Sequence, residues 1–334
     1  MISLPVVEAS QVGGARRRAL HEAESLGMPS DLQDRLAIIV TEIATNLLRH
    51  AREGEVVLVP ERRGPHLGMT VIGMDLGPGI TAVETAFEDG YTTAGEGGRG
   101  IGGGLGAIRR LSDEFDFHTD QGGTTVLAKV ASGAAPSSPD AVTAEGLIVP
   151  KPGFDAGGDA FAVRHETDAT LVLLLDVLGH GATAAEEATR GAAAFEECSG
   201  DSLDEAHREV CRALEGGRGA ASLIVRIPSE GGVLTGIGLG NVRGEIVSPD
   251  GSRRGIPCAP GIVGATQKHP RQTEHEWPQG ATLVMSTDGL RNADRTGESP
   301  ALFSRRPLAI AATLYKRRRR GTDDCGIVVA RGAA

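Results

Sequence analysis

The chain has 334 residues, 40% of them hydrophobic and 3% aromatic, and a formal net charge of −10. That length predicts two domains, each able to bury its own core, and the acidic balance argues against a nucleic-acid binder. The longest aliphatic run, residues 171–175, is far short of the ~18 to 20 apolar residues of a spanning helix, and the opening MISLPVVEAS has no signal-peptide pattern.

A cytoplasmic protein without a membrane partner is therefore expected. Cys198, Cys211, Cys258 and Cys325 show no CxxC or metal-ligand spacing, which fits reduced thiols in that compartment. The local basic run Lys316-Arg317-Arg318-Arg319-Arg320 reads as a solvated helix end.

In chain order, residues 12–26 and 31–50 read as helices, the second with Leu32, Leu36, Ile39, Ile43, Asn46 and Leu47 recurring at three and four residues. Strands over 55–60 and 67–75, a helix over 105–112 and a hairpin of 114–119 with 124–130 follow. This predicts a mixed α/β sandwich with helices on one face. Residues 131–143, rich in Ala, Ser and Pro, are the natural linker, so the expected domains are 1–130 and 144–334. Beyond the linker, strands are expected at 160–165, 170–175, 220–227, 233–239, 243–248, 281–287 and 326–330, with helices at 182–197 and 203–214.

Three motifs follow one another in the first domain. Glu42 and Asn46 lie four apart and share one helix face; Asn46 offers a hard oxygen to Mg²⁺ and Glu42 can take a proton from an attacking hydroxyl or water. Asp75 closes a strand and is followed by Gly77 and Gly79, where backbone can approach a ligand and the carboxylate can accept from an exocyclic amine. The run from Gly97 to Gly106, including Gly100, Gly102 and Gly104, opens a helix and can present amides to phosphate, with Thr124 returning on a strand to the adenine side. Each motif alone is weak, but their joint order points to a nucleotide site.

In the second domain Asp159, Asp176, Asp288 and Asp323 each stand at or just past a strand end beside glycine or a turn, where separate strands can bring carboxylates to one point. Unpaired buried carboxylates are costly, and two divalent metals would remove that cost and generate a water nucleophile for attack on phosphorus.

These residues carry a resemblance. TEIATNLLRHA, IGMDLGPGI and GRGIGGGLGAIRRLSDEFDFHTDQGGTTVLAKV resemble the N, G1 and G2 boxes of the GHKL ATPase fold, and most closely the anti-sigma-factor and stressosome switch serine/threonine kinases. The resemblance implies a Bergerat α/β sandwich binding ATP and Mg²⁺, with Asn46 holding the metal, Glu42 as base, Asp75 on adenine and His50 in a structural role. LVLLLDVLGHG, LVMSTDGL and TDDCGIVV, with RGAA and GLGNV, resemble the protein phosphatase 2C fold in its sporulation stage II E branch, an α-β-β-α sandwich with two Mn²⁺ or Mg²⁺. It implies Asp176 bridging both metals with help from the Val177 carbonyl, Asp159 on one metal, and Asp288 and Asp323 on the other, Asp324 being the alternative to Asp323.

The fold class is thus two-domain α+β. The implied function is a bifunctional regulator, a serine/threonine kinase joined to a phosphoserine/phosphothreonine phosphatase, acting on STAS-domain anti-sigma antagonists, stressosome scaffold proteins or a sigma factor. The alternative is a non-catalytic ATP-dependent module that captures a partner for the phosphatase. A metabolic or DNA-repair ATPase is disfavoured because the transducer domain of such enzymes is missing.

Overall fold

The computed structural model describes residues 1–87, 104–133, 142–200, 202–265, 269–292 and 298–332. The chain divides into two compact units, Met1–Pro136 with Ser304–Arg317, and Ser137–Phe303 with Arg318–Ala334.

Unit 1 begins with β1 (Ile2–Pro5), α1 (Ala9–Leu26), α2 (Ser30–His50), β2 (Glu55–Arg63) and β3 (His66–Met74). The single turn α3 (Val83–Ala86), α4 (Gly104–Leu111), β4 (Glu114–Asp120) and β5 (Gly123–Ala131) follow. Its strands form one antiparallel sheet in the order β1-β2-β3-β5-β4. Gln11 accepts from the Glu8 amide at 3.0 Å, half of a capping box that starts α1. The helical period puts Leu32, Leu36, Ile39, Ile43 and Leu47 on one face of α2, where they bury with Val56, Leu58, Met69, Val71, Val126 and Ala128 of the sheet.

Unit 2 holds β6 (Thr143–Val149), β7 (Asp159–His165), β8 (Ala169–Val177), α5 (Ala182–Glu197), α6 (Leu203–Ala213), β9 (Ala220–Pro228) and β10 (Gly232–Leu239). It continues with β11 (Arg243–Val247), β12 (Arg253–Ile256), β13 (Thr273–Trp277) and β14 (Thr282–Ser286), and after α7 (Pro307–Arg318) ends with β15 (Cys325–Arg331). Two five-stranded antiparallel sheets, β13-β10-β9-β8-β7 and β12-β11-β14-β15-β6, enclose a core of Val172, Leu174, Leu223 and Val225 against Ile246, Leu283, Met285 and Val328. On the outer side of the first sheet, Leu171, Leu173 and Leu175 bury with Ala188 and Phe195 of α5 and Val210 of α6. Strand β8 is apolar without alternation because both of its faces are covered.

Helix α7 changes the expected picture of unit 1, since residues 304–317 group with it. Thr313 Oγ1 donates to Thr125 Oγ1 at 2.9 Å, Tyr315 Oη to Glu55 Oε1 at 2.9 Å, and Lys316 Nζ to Glu55 Oε2 at 2.8 Å. Glu55 and Thr125 alternate with Val56 and Val126, so α7 covers the face opposite α1 and α2. Helices therefore lie on both faces of this sheet, not one. The reason is legible in Val56-Val57-Leu58-Val59, whose unbroken apolar run requires cover on both sides. The solvated helix end is corrected too: Lys316 is 3% exposed, and Arg317 pairs with Asp120. Among the described residues no helix is long and apolar enough to cross a membrane.

Candidate functional site

In unit 1, Glu42 and Asn46 stand one turn apart on α2, both half-buried. The first residue of α4 closes on them: a Cβ at Gly104 would lie 3.1 Å from Glu42 Oε2 and 3.2 Å from Asn46 Nδ2. Asp75 directly follows β3; its amide donates to Thr124 O at 3.0 Å, and its Oδ1 accepts from the Gly77 amide at 2.6 Å. Burial pushes the Asp75 carboxyl up, while the Gly77 and Thr124 amides and the charges of Lys316 and Arg317 pull the other way. Gly79 takes φ 76°, where a Cβ would stand 2.2 Å from Asp120 O. Ile80 N donates to Thr119 Oγ1 at 2.8 Å, and Thr119 Oγ1 meets Thr124 Oγ1 at 3.0 Å, so the loop after Asp75 is stitched to the β4–β5 hairpin. The structure thus groups Asp75, Gly77, Gly79 and Thr124 in one place and Glu42, Asn46 and Gly104 in another; Gly100 and Gly102 lie outside the described residues.

In unit 2, Asp159 opens β7 and Asp176 lies near the end of β8, and the register sets the two directly opposite each other. Asp159 is 6% exposed and its Oδ2 accepts from Thr287 Oγ1 at 2.8 Å. Burial, then Asp176, pushes its carboxyl well above the usual range, with Asp324 and Asp288 adding to the shift. Asp176 is raised to about 7, first by burial and then by Asp288, Asp323 and Asp324, although the Asp288 amide donates to it. Asp159 and Asp176 therefore each feel the charge of three other aspartates, which raises the cost of ionising these two.

Asp323 and Asp324 have separate tasks. Both oxygens of Asp324 are engaged, Oδ1 by the Lys151 amide and Oδ2 by the Gly158 amide, each at 2.7 Å, and a Cβ at Gly157 would stand 2.5 Å from the same carboxylate. Asp323 is exposed and, among the described residues, accepts only from the Asp324 amide, at 3.0 Å. Asp324 thus anchors the loop that delivers Asp159, while Asp323 is the exposed member of the two. Val177 is held by its amide on Gly158 O at 3.0 Å. Among the described residues no three His, Cys, Asp or Glu are set to hold a metal ion as they stand.

The turn carrying Asp288 has supports that sequence reasoning did not assign. Asn241 Nδ2 donates to Asp288 Oδ2 at 2.8 Å, and Arg243 Nη2 donates to the carbonyls of Thr287 at 2.9 Å and Leu290 at 2.5 Å. Asn241 was visible only as part of GLGNV, and nothing local to Arg243 marks its reach across the sheet. Cys325, its thiol pushed up to about 12 by burial and by Asp159, packs on Gly289 O at 3.2 Å, consistent with a non-catalytic cysteine.

Comparison with known proteins agrees with both halves. Residues 6–130 match the histidine kinase-like ATPase domain and residues 166–331 match stage II sporulation protein E. The chain is 32% identical over 115 residues, 34% of its length and 84% of the relative's, to serine/threonine-protein kinase RsbT of Bacillus subtilis (strain 168). It is 27% identical over 145 residues, 43% of its length and 72% of the relative's, to phosphoserine phosphatase RsbX of the same organism. A solved structure of the bacterial stressosome, described as a modular system adapted to control secondary messenger signaling, shares the fold with TM-score 0.50 and 24% identity over 57% of this chain and 99% of that one. The chain belongs to the histidine kinase-like ATPase family through its first part and to the stage II sporulation protein E, protein phosphatase 2C-like family through its second, and is homologous to RsbT and RsbX.

Proposed function

We propose that unit 2 is a divalent-metal-dependent phosphoserine/phosphothreonine protein phosphatase and unit 1 an ATP- and Mg²⁺-binding serine/threonine kinase, together setting the phosphorylation of a STAS-domain or stressosome protein in the cytoplasm. The observation that carries the phosphatase reading is the cross-strand pair Asp159 and Asp176, whose ionisation is opposed mainly by burial and by other aspartates. A pair of Mn²⁺ or Mg²⁺ ions would offset that repulsion and supply a metal-bound water for in-line attack on phosphorus. Asp176 would bridge the ions with the Val177 carbonyl, Asp159 would serve one, and Asp288 and Asp323 the other. Thr287 and the Asp288 amide orient the first two carboxylates, and Asn241 and Arg243 hold the third.

For unit 1, Asn46 would bind Mg²⁺, Asp75 the adenine amine and Glu42 the proton of the attacking hydroxyl. RsbT is named a serine/threonine-protein kinase and RsbX a phosphoserine phosphatase, which supports a protein hydroxyl as phosphate acceptor and donor. The test is hydrolysis of 4-nitrophenyl phosphate and of a phosphoserine peptide by the full chain. Activity is expected with Mn²⁺ and not in EDTA, and Asp176→Asn should lower it on the order of a thousandfold, since the metals' several kcal/mol of charge stabilisation are lost. Equal rates in EDTA would sink the phosphatase reading. Phosphate transfer to a STAS protein that survives Glu42→Ala would sink the kinase reading.

A further inference from the structure

Among the described residues seven large apolar side chains are exposed, and three of them, Phe154 at 41%, Leu178 at 47% and Ile262 at 39%, belong to unit 2 and surround the turn that follows Asp176. They form one surface. The Phe154 ring lies 4.3 Å from the His180 ring, Leu178 N donates to Gly219 O at 3.0 Å, and a Cβ at Gly219 would be 2.4 Å from Ile262 Cγ2. Between them stands Arg218: its Nη1 would be 2.6 Å from a Cβ at Gly179, its backbone amide is fixed by Glu187 Oε2 at 2.9 Å, and it is exposed. Among the described residues its guanidinium makes no ion pair. Lys151 adds a second cation, 5.9 Å from the Phe154 ring centre.

Singly exposed apolar residues are ordinary, whereas several gathered beside a reactive centre mark a binding surface. We infer that Phe154, Leu178 and Ile262, with Arg218 between them, form the docking surface for the phosphatase substrate, a protein segment carrying phosphoserine flanked by apolar side chains. The occupant follows from charge and continuity. The surface runs directly into the aspartate site, its cations suit a dianionic phosphate that the aspartates alone would repel, and its apolar side chains have area to bury only against like neighbours. A free small phosphate would use none of that area. This inference rests on the phosphatase reading and adds to it how the substrate is chosen.

The experiment compares kcat/KM of the full chain with Mn²⁺ on three substrates: a phosphoserine peptide flanked by leucines, the same peptide flanked by serines, and 4-nitrophenyl phosphate. The leucine-flanked peptide should be preferred over the serine-flanked one at least tenfold. Phe154→Ala and Ile262→Ala should each raise KM for the leucine-flanked peptide, together erasing the preference, with 4-nitrophenyl phosphate turned over at the wild-type rate. Val233→Ala is the control, because the strand register puts this 54% exposed residue at the opposite end of the sheet from Val177 and Ala220; it should change nothing. A wild type without flank preference, or variants that slow peptide and small ester alike, would overturn the docking surface. Absence of hydrolysis of all three substrates would instead remove the phosphatase reading beneath it.

Discussion

The two units handle buried carboxylates in opposite ways. In unit 1, Glu55 is met by Lys316 at 2.8 Å and by the Tyr315 hydroxyl at 2.9 Å, and Asp75 feels the charges of Lys316 and Arg317. In unit 2, the strongest neighbours of Asp159 and Asp176 are other aspartates. A carboxylate with its own cation is part of the scaffold. Carboxylates that repel one another hold their protons more tightly or take a counter-ion, and the raised Asp159 and Asp176 carboxyls record that repulsion.

Breaking the scaffold side should give the largest effect on stability. Lys316→Met takes the cation away from a carboxylate that is 2% exposed, and such a change costs about 3 kcal/mol or more. Chemical denaturation should therefore show a lower midpoint for unit 1, and an unchanged midpoint would mean that the pair is not part of its scaffold. Asp75 lies between the two classes, half-buried and touched by chain cations yet free to accept from a ligand. Calorimetry should find ATP binding to Asp75→Asn weakened roughly tenfold to a hundredfold, the worth of a hydrogen bond to a charged group; equal affinity would place adenine elsewhere.

The smallest effect is a pH dependence that belongs to unit 2. The Asp176 carboxyl holds its proton more tightly folded, at about 7, than unfolded, at 3.8. The metal-free fold therefore gains from this group below about pH 4 and loses that gain as pH rises to about 7. Compared with Asp176→Asn, the metal-free wild type should lose melting temperature across that window, and added Mn²⁺ should restore it at the upper end. A difference between the two proteins that stays constant from pH 4 to 7 would mean that Asp176 ionises normally.

Much of this was open to sequence reading where the signal is local. The period of Leu32, Leu36, Ile39 and Ile43 fixed the helix and put Glu42 and Asn46 on one turn of it, and the strand register sets Asp159 opposite Asp176. What was hidden depends on distant partners. Strand β1 is four residues long and exists through its pairing with β2, and β12 and β13, of four and five residues, are likewise defined by their neighbours. Helix α7 was not foreseen because its place on unit 1 is set by Glu55 and Thr125, some 190 to 260 residues away. Its signature was present all the same, in a β2 that is apolar on both faces. The different surroundings of Asp323 and Asp324 could not be read from adjacency, since Asp324 is taken up by the distant amides of Lys151 and Gly158.

The contrast between the units is tested most directly by hydrogen–deuterium exchange of the full chain with Mg²⁺ and with EDTA, in the absence of nucleotide. Mg²⁺ should slow exchange at residues 157–159, 176–178 and 287–289, around Asp159 and Asp176, whose strongest charged neighbours are other aspartates, and leave residues 55–59 beside Glu55 unchanged. Equal protection in the two regions, or none around Asp159, Asp176 and Asp288, would contradict the claim that unit 2 is built to receive a metal and unit 1 supplies its own charge.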